Sequence, residues 1–224
     1  MTSAYERELR DVLSGTKKGV EAVIRSCSVQ EQEHMRQIQK RPFLVVRAAG
    51  SGMDGSGDLV ALRGDCCFPI EVKTTKASKL YLSGRTKEQL NAMIREGNRS
   101  GLMPLYAYRK KGVRGDSWRI FRVETQYLTR TLGQLAKSIP PLPLSRQGSP
   151  FLDWDQGMPL NQFIAILCGH EDDSRITIQP LLERAQISRE ESYSPRDKTK
   201  STLDVLMELE RRRSVRKPIV NKRE

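Results

Sequence analysis

The chain has 224 residues, with 39 lysines and arginines against 27 acidic residues and a formal net charge of +12. A chain of this length can bury the core of one domain with extensions, or of two small domains. Its charge favours an anionic partner, nucleic acid before a membrane. No apolar run reaches membrane-spanning length and no charged-then-apolar leader opens the chain, so we expect an intracellular, cytoplasmic protein without a membrane partner.

The cysteines do not match a metal-binding pattern. No Cys-x-x-Cys pair occurs, and the two histidines are His34 and His170. A zinc finger is therefore not expected. We interpret the neighbouring Cys66 and Cys67 as core thiols and not as a redox pair.

The N-terminal part of the chain is predicted to be helical. An apolar stripe predicts a helix over residues 2–13, with Ser3 as its N-cap. Ser3 and Glu6 also match a capping box, which would give Glu6 a purely structural role. After a break at 15–19, a weaker amphipathic pattern predicts a second helical segment over 20–39.

A glycine-rich loop follows the first predicted strand. The strand covers residues 43–49 (FLVVRAA), and the loop covers 50–57 (GSGMDGSG). Glycines let a loop approach a phosphate closely, but this loop lacks the Gly-Lys-Ser/Thr ending of a nucleotide-binding P-loop. Nucleotide binding is therefore disfavoured, and a flexible loop beside a site or a long turn both remain open.

Three charged residues interrupt the two apolar strands that come next. The strands are predicted at 59–62 and 68–75, with Asp58 at the entry to the first and Glu71 and Lys73 within the second. Alternation along a strand places Glu71 and Lys73 on the same face. Burying them there is costly unless they are paired, so they indicate either a structural ion pair or a functional site.

The remaining pattern predicts further strands and helices. They are a strand at 80–82, a helix at 87–97, strands at 102–109 and 117–123, and a helical piece at 124–132. A proline-rich linker follows, after which Leu160, Phe163, Ile164 and Leu167 fit one helical face. The predicted fold class is α/β, a mixed central β-sheet flanked by helices, with a helical C-terminal extension.

The spacing Asp-x12-Glu-x-Lys places two carboxylates and a lysine on adjacent predicted strands. Carboxylates that meet at one end of a sheet bind hard divalent cations such as Mg2+ or Mn2+. A neighbouring lysine can orient a metal-bound water and balance the charge on a pentavalent phosphate. In a basic chain, Asp58, Glu71 and Lys73 therefore favour phosphodiester hydrolysis over a buried ion pair, which would stabilise the fold poorly.

The chain resembles the archaeal-type Holliday junction resolvases of the PD-(D/E)xK nuclease superfamily, over roughly residues 3–14 and 43–124. The resemblance is carried, in order, by YEREL, FLVVRAAGS, GDLVAL, IEVKTTK, LYLSGR and WRIFRV. It implies a restriction-endonuclease-like nuclease core. It also implies the catalytic residues Glu6, Asp58, Glu71 and Lys73, with Mg2+ (or Mn2+ in its place) held by Asp58, Glu71, Val72 and Glu6. Glu8 is the nearest rival of Glu6 for this role. Two residues apart on a helix, the two acids face different directions, so at most one of them points into the site.

The resemblance also implies DNA contacts. Arg7, Arg47 and Ser51 match residues that contact DNA or support the site in the family, and pairing of Arg7 and Arg47 with the carboxylates is the alternative. Further basic residues are predicted to contact DNA: Lys76, Arg85, Lys110 and Lys111. The last two lie in a basic turn that phosphate contact or plain solvation explains equally well.

The chain departs from the family pattern in three places: a long connection at 15–40, an extra Asp54 in the loop, and a tail beyond about residue 170. The predicted domains are a nuclease core at 1–135 with the helical insert 15–40, a linker at 136–150, a helical extension at 151–190 packing on the core, and a basic, partly disordered tail at 191–224. The tail is interpreted as a nucleic-acid tether, a protein-binding segment or a solvated end.

The function implied is a structure-selective endonuclease of DNA recombination and repair, associated with the nucleoid. Acting as a C2 dimer on branched DNA, it would resolve four-way junctions by paired nicks that leave 5′-phosphate and 3′-hydroxyl ends. Two alternatives are a related nuclease that acts on flaps, nicks or duplex sites, and a catalytically silent junction-binding paralogue.

Overall fold

A computed structural model describes residues 4–48 and 55–169 of the chain. The helices are α1 (Ala4–Leu13), α2 (Lys17–Ile24), α3 (Val29–Arg36), α4 (Arg85–Ser100), α5 (Arg130–Ser138) and α6 (160–169). The strands are β1 (Leu44–Arg47), β2 (Leu59–Arg63), β3 (Cys66–Thr75), β4 (Lys79–Tyr81), β5 (Leu105–Lys110), β6 (Trp118–Arg122), β7 (Phe151–Asp153) and β8 (Met158–Pro159). Within these ranges no helix is long and apolar enough to cross a membrane.

One mixed sheet organises the described residues. Its strand order is β1-β2-β3-β5-β6-β8, and β4 pairs with β7 in a separate two-stranded sheet. Neighbouring strands are antiparallel except β3 and β5, which are parallel. A parallel pair needs a crossover connection, and α4 provides it between β3 and β5. The predicted α/β class with a mixed central sheet and flanking helices is confirmed.

The two faces of the sheet are covered by different elements. On one face, apolar residues of β2, β3, β5 and β6 form a buried core with side chains from α1, α2, α5 and α6. On the other face, α4 and the β4–β7 pair bury Tyr106, Tyr108 and Phe121. Glu71 is the register partner of Tyr106, so it lies on the face that α4 covers.

Two helix predictions were wrong in detail. The segment predicted over 20–39 contains two helices, because Ser28 begins α3 with a capping box in which the Ser28 N–H donates to Glu31 at 2.8 Å. The helical piece predicted at 124–132 was placed too early, because the helix there, α5, begins only at Arg130. Tyr127 has a φ of +64°, a left-handed conformation that an α-helix does not accommodate.

The segment at 151–159 contains strands, so the helical prediction for it was wrong. Phe151 pairs with Tyr81 in the β4–β7 sheet, and β8 joins the main sheet beside β6. The helical face predicted next is confirmed in α6, where all four apolar side chains are buried: Leu160, Phe163, Ile164 and Leu167. The end of the extension and the tail lie outside the described residues, and the domain boundaries stay predictions.

Candidate active site

A close approach between Gly57 and β3 positions Asp58. Gly57 has a φ of +72°, and a Cβ there would lie 2.6 Å from the Ile70 carbonyl oxygen, so only glycine fits without strain. The next residue is then held twice. The Asp58 N–H donates to the Ile70 oxygen at 2.8 Å, and Asp58 Oδ2 accepts from the Val72 N–H at 2.8 Å. The carboxylate is thereby fixed against the strand that carries Glu71 and Lys73.

Glu71 and Lys73 meet on the α4 face of β3. Glu71 is 5% exposed, and Lys73 Nζ donates to its Oε1 at 2.7 Å. The same ammonium donates to Oε1 of Gln89, on α4, at 3.0 Å. The sequence pattern placed the acid and the lysine on one face; it did not reveal Gln89, because this contact joins a strand to the crossover helix.

The surroundings of Asp58 and Glu71 disfavour the ionised form of both carboxyl groups. Burial raises the pKa of Asp58; the Val72 N–H opposes this rise, and the negative charge of Glu6 adds to it. Burial also raises the pKa of Glu71, followed by the charge of Asp58, with Lys73 acting in the opposite direction. Ionisation is thus disfavoured for the half-buried Asp58 and the buried Glu71, and a cation bound beside them would be stabilised.

Glu6 approaches this pair from α1. Its side chain is 15% exposed, and Arg47 Nε at the end of β1 lies 3.8 Å from its Oε2. Glu6 is close enough to raise the pKa of both Asp58 and Glu71. Arg47 thus follows the pairing alternative in this structure. The capping-box partner Ser3 lies outside the described residues.

Glu8 faces elsewhere. Its Oε1 accepts from Arg109 Nε and from Trp118 Nε1, both at 2.8 Å. Both donors belong to the β5–β6 pair, and the Arg109 guanidinium also lies over the Tyr5 ring. The geometry therefore favours Glu6 over Glu8 as the acid beside Asp58.

The oxygen donors fit a hard divalent cation through two carboxylates rather than three. In the part of the chain that the structure describes, no three His, Cys, Asp or Glu side chains come together as a metal-binding group. Mg2+ commonly uses one or two carboxylates and completes its coordination with waters and substrate phosphates. Asp58 and Glu71 match that mode. Val72 contributes its N–H to Asp58.

The residues predicted to contact DNA have different environments. Arg7, Lys76 and Arg85 are exposed. Lys110 and Lys111 are half-buried and make contacts within the chain. Lys110 Nζ donates to Ser78 Oγ at 2.6 Å, and Lys111 Nζ lies over the Tyr5 ring. Ser51, like Asp54, lies outside the described residues.

A family model and a curated relative match this chain. The model for the archaeal Holliday junction resolvases (Hjc) matches residues 27–137. Crossover junction endodeoxyribonuclease Hjc of Archaeoglobus fulgidus is 33% identical over 116 residues, which are 51% of this chain and 81% of the relative. The chain belongs to the archaeal Holliday junction resolvase family. The range matched by the Hjc model contains Asp58, Glu71 and Lys73 but begins after Glu6.

A solved structure is also similar, that of Archaeoglobus fulgidus Hjc, a Holliday junction resolvase from an archaeal hyperthermophile. It is 24% identical, covers 60% of this chain and 91% of its own, and superposes with a TM-score of 0.37.

Proposed function

We propose that this protein is a metal-dependent, structure-selective DNA endonuclease that resolves four-way junctions by paired nicks, leaving 5′-phosphate and 3′-hydroxyl ends. The observation that carries the proposal is the cluster of Asp58, Glu71 and Lys73 at one end of β2 and β3, with the lysine 2.7 Å from the buried glutamate. Family membership supports the same activity, since the relative from Archaeoglobus fulgidus is a crossover junction endodeoxyribonuclease.

The cation of this proposal is Mg2+, with Mn2+ as a substitute, held by Asp58 and Glu71. When bound, it supplies a Lewis acid for the scissile phosphate. Glu6 lies close enough to add negative charge to the same site, and Arg47 balances part of that charge. Ligation by Glu6 would require it to leave Arg47.

Lys73 has two functions in this mechanism. Its ammonium, held between Glu71 and Gln89, orients an attacking water and faces the negative charge that builds on the phosphate. A second lysine hydrogen bond, to the neutral Gln89 on α4, keeps the side chain in place when Glu71 turns toward the cation. The scissile phosphate would thereby lie between two positive charges, the bound cation and the Lys73 ammonium.

The proposed functional unit is a homodimer, because a four-way junction has near-twofold symmetry and a C2 pair presents two sites to opposing strands. Edge strand β1 and its neighbour β2 expose Leu44, Val46 and Leu62 at 68%, 49% and 37%. Leu44 and Leu62 are register partners, so the three side chains form one apolar surface. Exposed apolar clusters mark contact surfaces, and we assign this one to the second copy.

Cleavage of a synthetic four-way junction tests the proposal. The full-length protein with Mg2+ should cut the junction, and Asp58→Asn should still bind it but cut at least about 100-fold more slowly, because a charged ligand is lost. Asp65→Asn is a matched control: Asp65 is exposed in the turn at the far end of the β2–β3 hairpin.

The substrate set separates the alternatives. Cutting of flaps or plain duplex at the same rate as junctions would replace the junction-selective function with a broader nuclease activity. Junction binding without cutting by the wild type would identify a silent junction-binding protein and contradict the proposed catalysis.

A further inference from the structure

Tyr106 has a buried hydroxyl without a hydrogen-bond partner among the described residues. The residue lies on β5, between α4 and the sheet, and is 0% exposed. Within residues 4–48 and 55–169, its hydroxyl makes no hydrogen bond. A buried hydroxyl without a partner is costly, by about 1–3 kcal/mol, so a residue that keeps one is expected to use it in another state of the molecule.

The candidate acceptors are the site carboxylates. Glu71 and Tyr106 are register partners on the parallel strands β3 and β5, so their side chains stand side by side on one face. In keeping with this register, burial raises the pKa of Tyr106, and the negative charges of Glu71 and then Asp58 raise it further. Only Oε1 of Glu71 is bonded to Lys73.

Tyr108, in the same strand, has a hydroxyl that is hydrogen-bonded. It lies two residues further along β5, on the same face and equally buried. Its hydroxyl donates to the Ala77 oxygen at 2.8 Å and lies 2.8 Å from Thr75 Oγ1. In the part of the chain that the structure describes, the Tyr108 hydroxyl is therefore hydrogen-bonded, and that of Tyr106, beside the carboxylates, is not.

We propose that Tyr106 is a positioning residue, whose hydroxyl donates a hydrogen bond to the Glu71 carboxylate when that carboxylate turns from Lys73 toward a bound cation. The inference rests on the proposed metal-dependent activity and adds a residue that neither the D…ExK pattern nor the first helix contains. A donor held in place by packing would fix the glutamate's orientation without moving itself. Phenylalanine at this position would leave Glu71 free to rotate.

Tyr106→Phe in the full-length chain tests this with three measurements. Mn2+ affinity, measured by electron paramagnetic resonance without DNA, should weaken about tenfold, as for loss of one hydrogen bond to a charged group. The kcat for junction cleavage should fall about tenfold with KM unchanged, since substrate binding does not use this hydroxyl. The thermal midpoint without metal should stay the same or rise, because an unpaired buried hydroxyl has been removed.

Tyr108→Phe is the control. It removes a hydroxyl from the same strand and face, and should lower the thermal midpoint while leaving Mn2+ affinity unchanged. The proposal is overturned if Tyr106→Phe matches the wild type in Mn2+ affinity and kcat, or if it loses thermal stability with Mn2+ affinity intact. The latter would show that the hydroxyl has a structural partner.

Mn2+ binding by the wild type and the DNA structures that it cuts distinguish a failure of the Tyr106 proposal from a failure of the proposed function. A wild type that binds no Mn2+ contradicts the metal site and, with it, the role of Tyr106. A wild type that binds Mn2+ but cuts other DNA structures changes the substrate only, and the Mn2+ affinities of the two variants still decide the role of Tyr106.

Discussion

Glu6 and Glu8 lie two residues apart on α1 and bind different arginines: Arg47 lies 3.8 Å from Glu6, and Arg109 donates to Glu8 at 2.8 Å. The first pair is at the edge of the Asp58–Glu71 cluster, and the second is packed against β5 and β6. One short helix thus contributes one acid to the candidate site and one to a contact with Arg109 and Trp118 of the β5–β6 pair, and only the structure distinguishes the two acids.

This difference predicts opposite phenotypes for two matched variants. Glu6→Gln should slow junction cleavage about 10–100-fold with little change in the free energy of unfolding. Glu8→Gln should lower the free energy of unfolding by about 1–2 kcal/mol, because the Arg109 and Trp118 donors lose a charged acceptor, with cleavage nearly unchanged. Urea denaturation and single-turnover cleavage measure the two effects. The reverse pattern would make Glu8 the site residue.

The glycine at the entry to β2 provides a second prediction. Gly57→Ala should destabilise the protein and slow cleavage, because a Cβ would lie 2.6 Å from the Ile70 oxygen and displace Asp58. Gly112→Ala is the control. Gly112 also has a positive φ, +83°, but nothing lies within 4 Å of an added Cβ.

We expect Gly112→Ala to lower the free energy of unfolding by about 1 kcal/mol, because of its backbone conformation alone, and to leave cleavage unchanged. Gly57→Ala should cost about 1–3 kcal/mol more, since backbone must move. Equal unfolding free energies for the two variants would show that the close approach to β3 does not matter.

A feature could be predicted from the sequence where the residues that form it are close together along the chain. The hairpin that carries Asp58, Glu71 and Lys73 was readable because apolar runs and a short turn are local signals. The split at Ser28 was also local, since Ser28 and Glu31 form a capping box that the Gln/Glu-rich pattern concealed. Glu6 came from the resemblance to a family.

The features that could not be predicted from the sequence depend on contacts between segments that are far apart along the chain. Phe151 becomes a strand residue only because β7 pairs with β4, about 70 positions earlier. Gln89 and Tyr106 reach the site through α4 and β5, and nothing in their local sequence marks them. An unpaired hydroxyl in particular has no sequence signal, because it is defined by what the surrounding fold omits.

A third prediction concerns pH and Asp116. Asp116 is buried two residues before β6 and accepts from the backbone and side-chain N–H groups of Asn161, on α6. Burial raises its pKa above the ordinary aspartate value, although these donors and the nearby Arg119 act in the opposite direction. In the unfolded chain the pKa returns to about 3.9.

The direction in which pH changes the free energy of unfolding depends on whether Asp116 ionises first in the folded or in the unfolded chain. Below about pH 4 the group is protonated in both states, and its contribution to stability is complete. As pH rises, the unfolded chain ionises before the folded one, so this contribution is lost until the pH exceeds the folded pKa. Asp116→Asn, which does not ionise, should therefore show a smaller decline in the free energy of unfolding between pH 4 and 7, measured in urea at several pH values. Parallel curves for the two proteins would contradict the raised pKa.

The last prediction concerns the apolar surface of Leu44, Val46 and Leu62. Leu44→Glu should convert the proposed dimer to a monomer in sedimentation velocity, because a charge would be buried in an apolar contact. Val29→Glu is the control: Val29 is more exposed, at 82%, but lies on α3, so its variant should remain dimeric.

Product analysis then links assembly to resolution. On a plasmid that extrudes a four-way junction, two coupled nicks yield linear DNA, whereas uncoupled nicks yield nicked circles. The wild type and Val29→Glu should produce linear DNA, and Leu44→Glu should produce nicked circles at a lower rate, because each of its subunits acts alone. A Leu44→Glu protein that stays dimeric and linearises the plasmid would place the contact between subunits on another surface of the molecule.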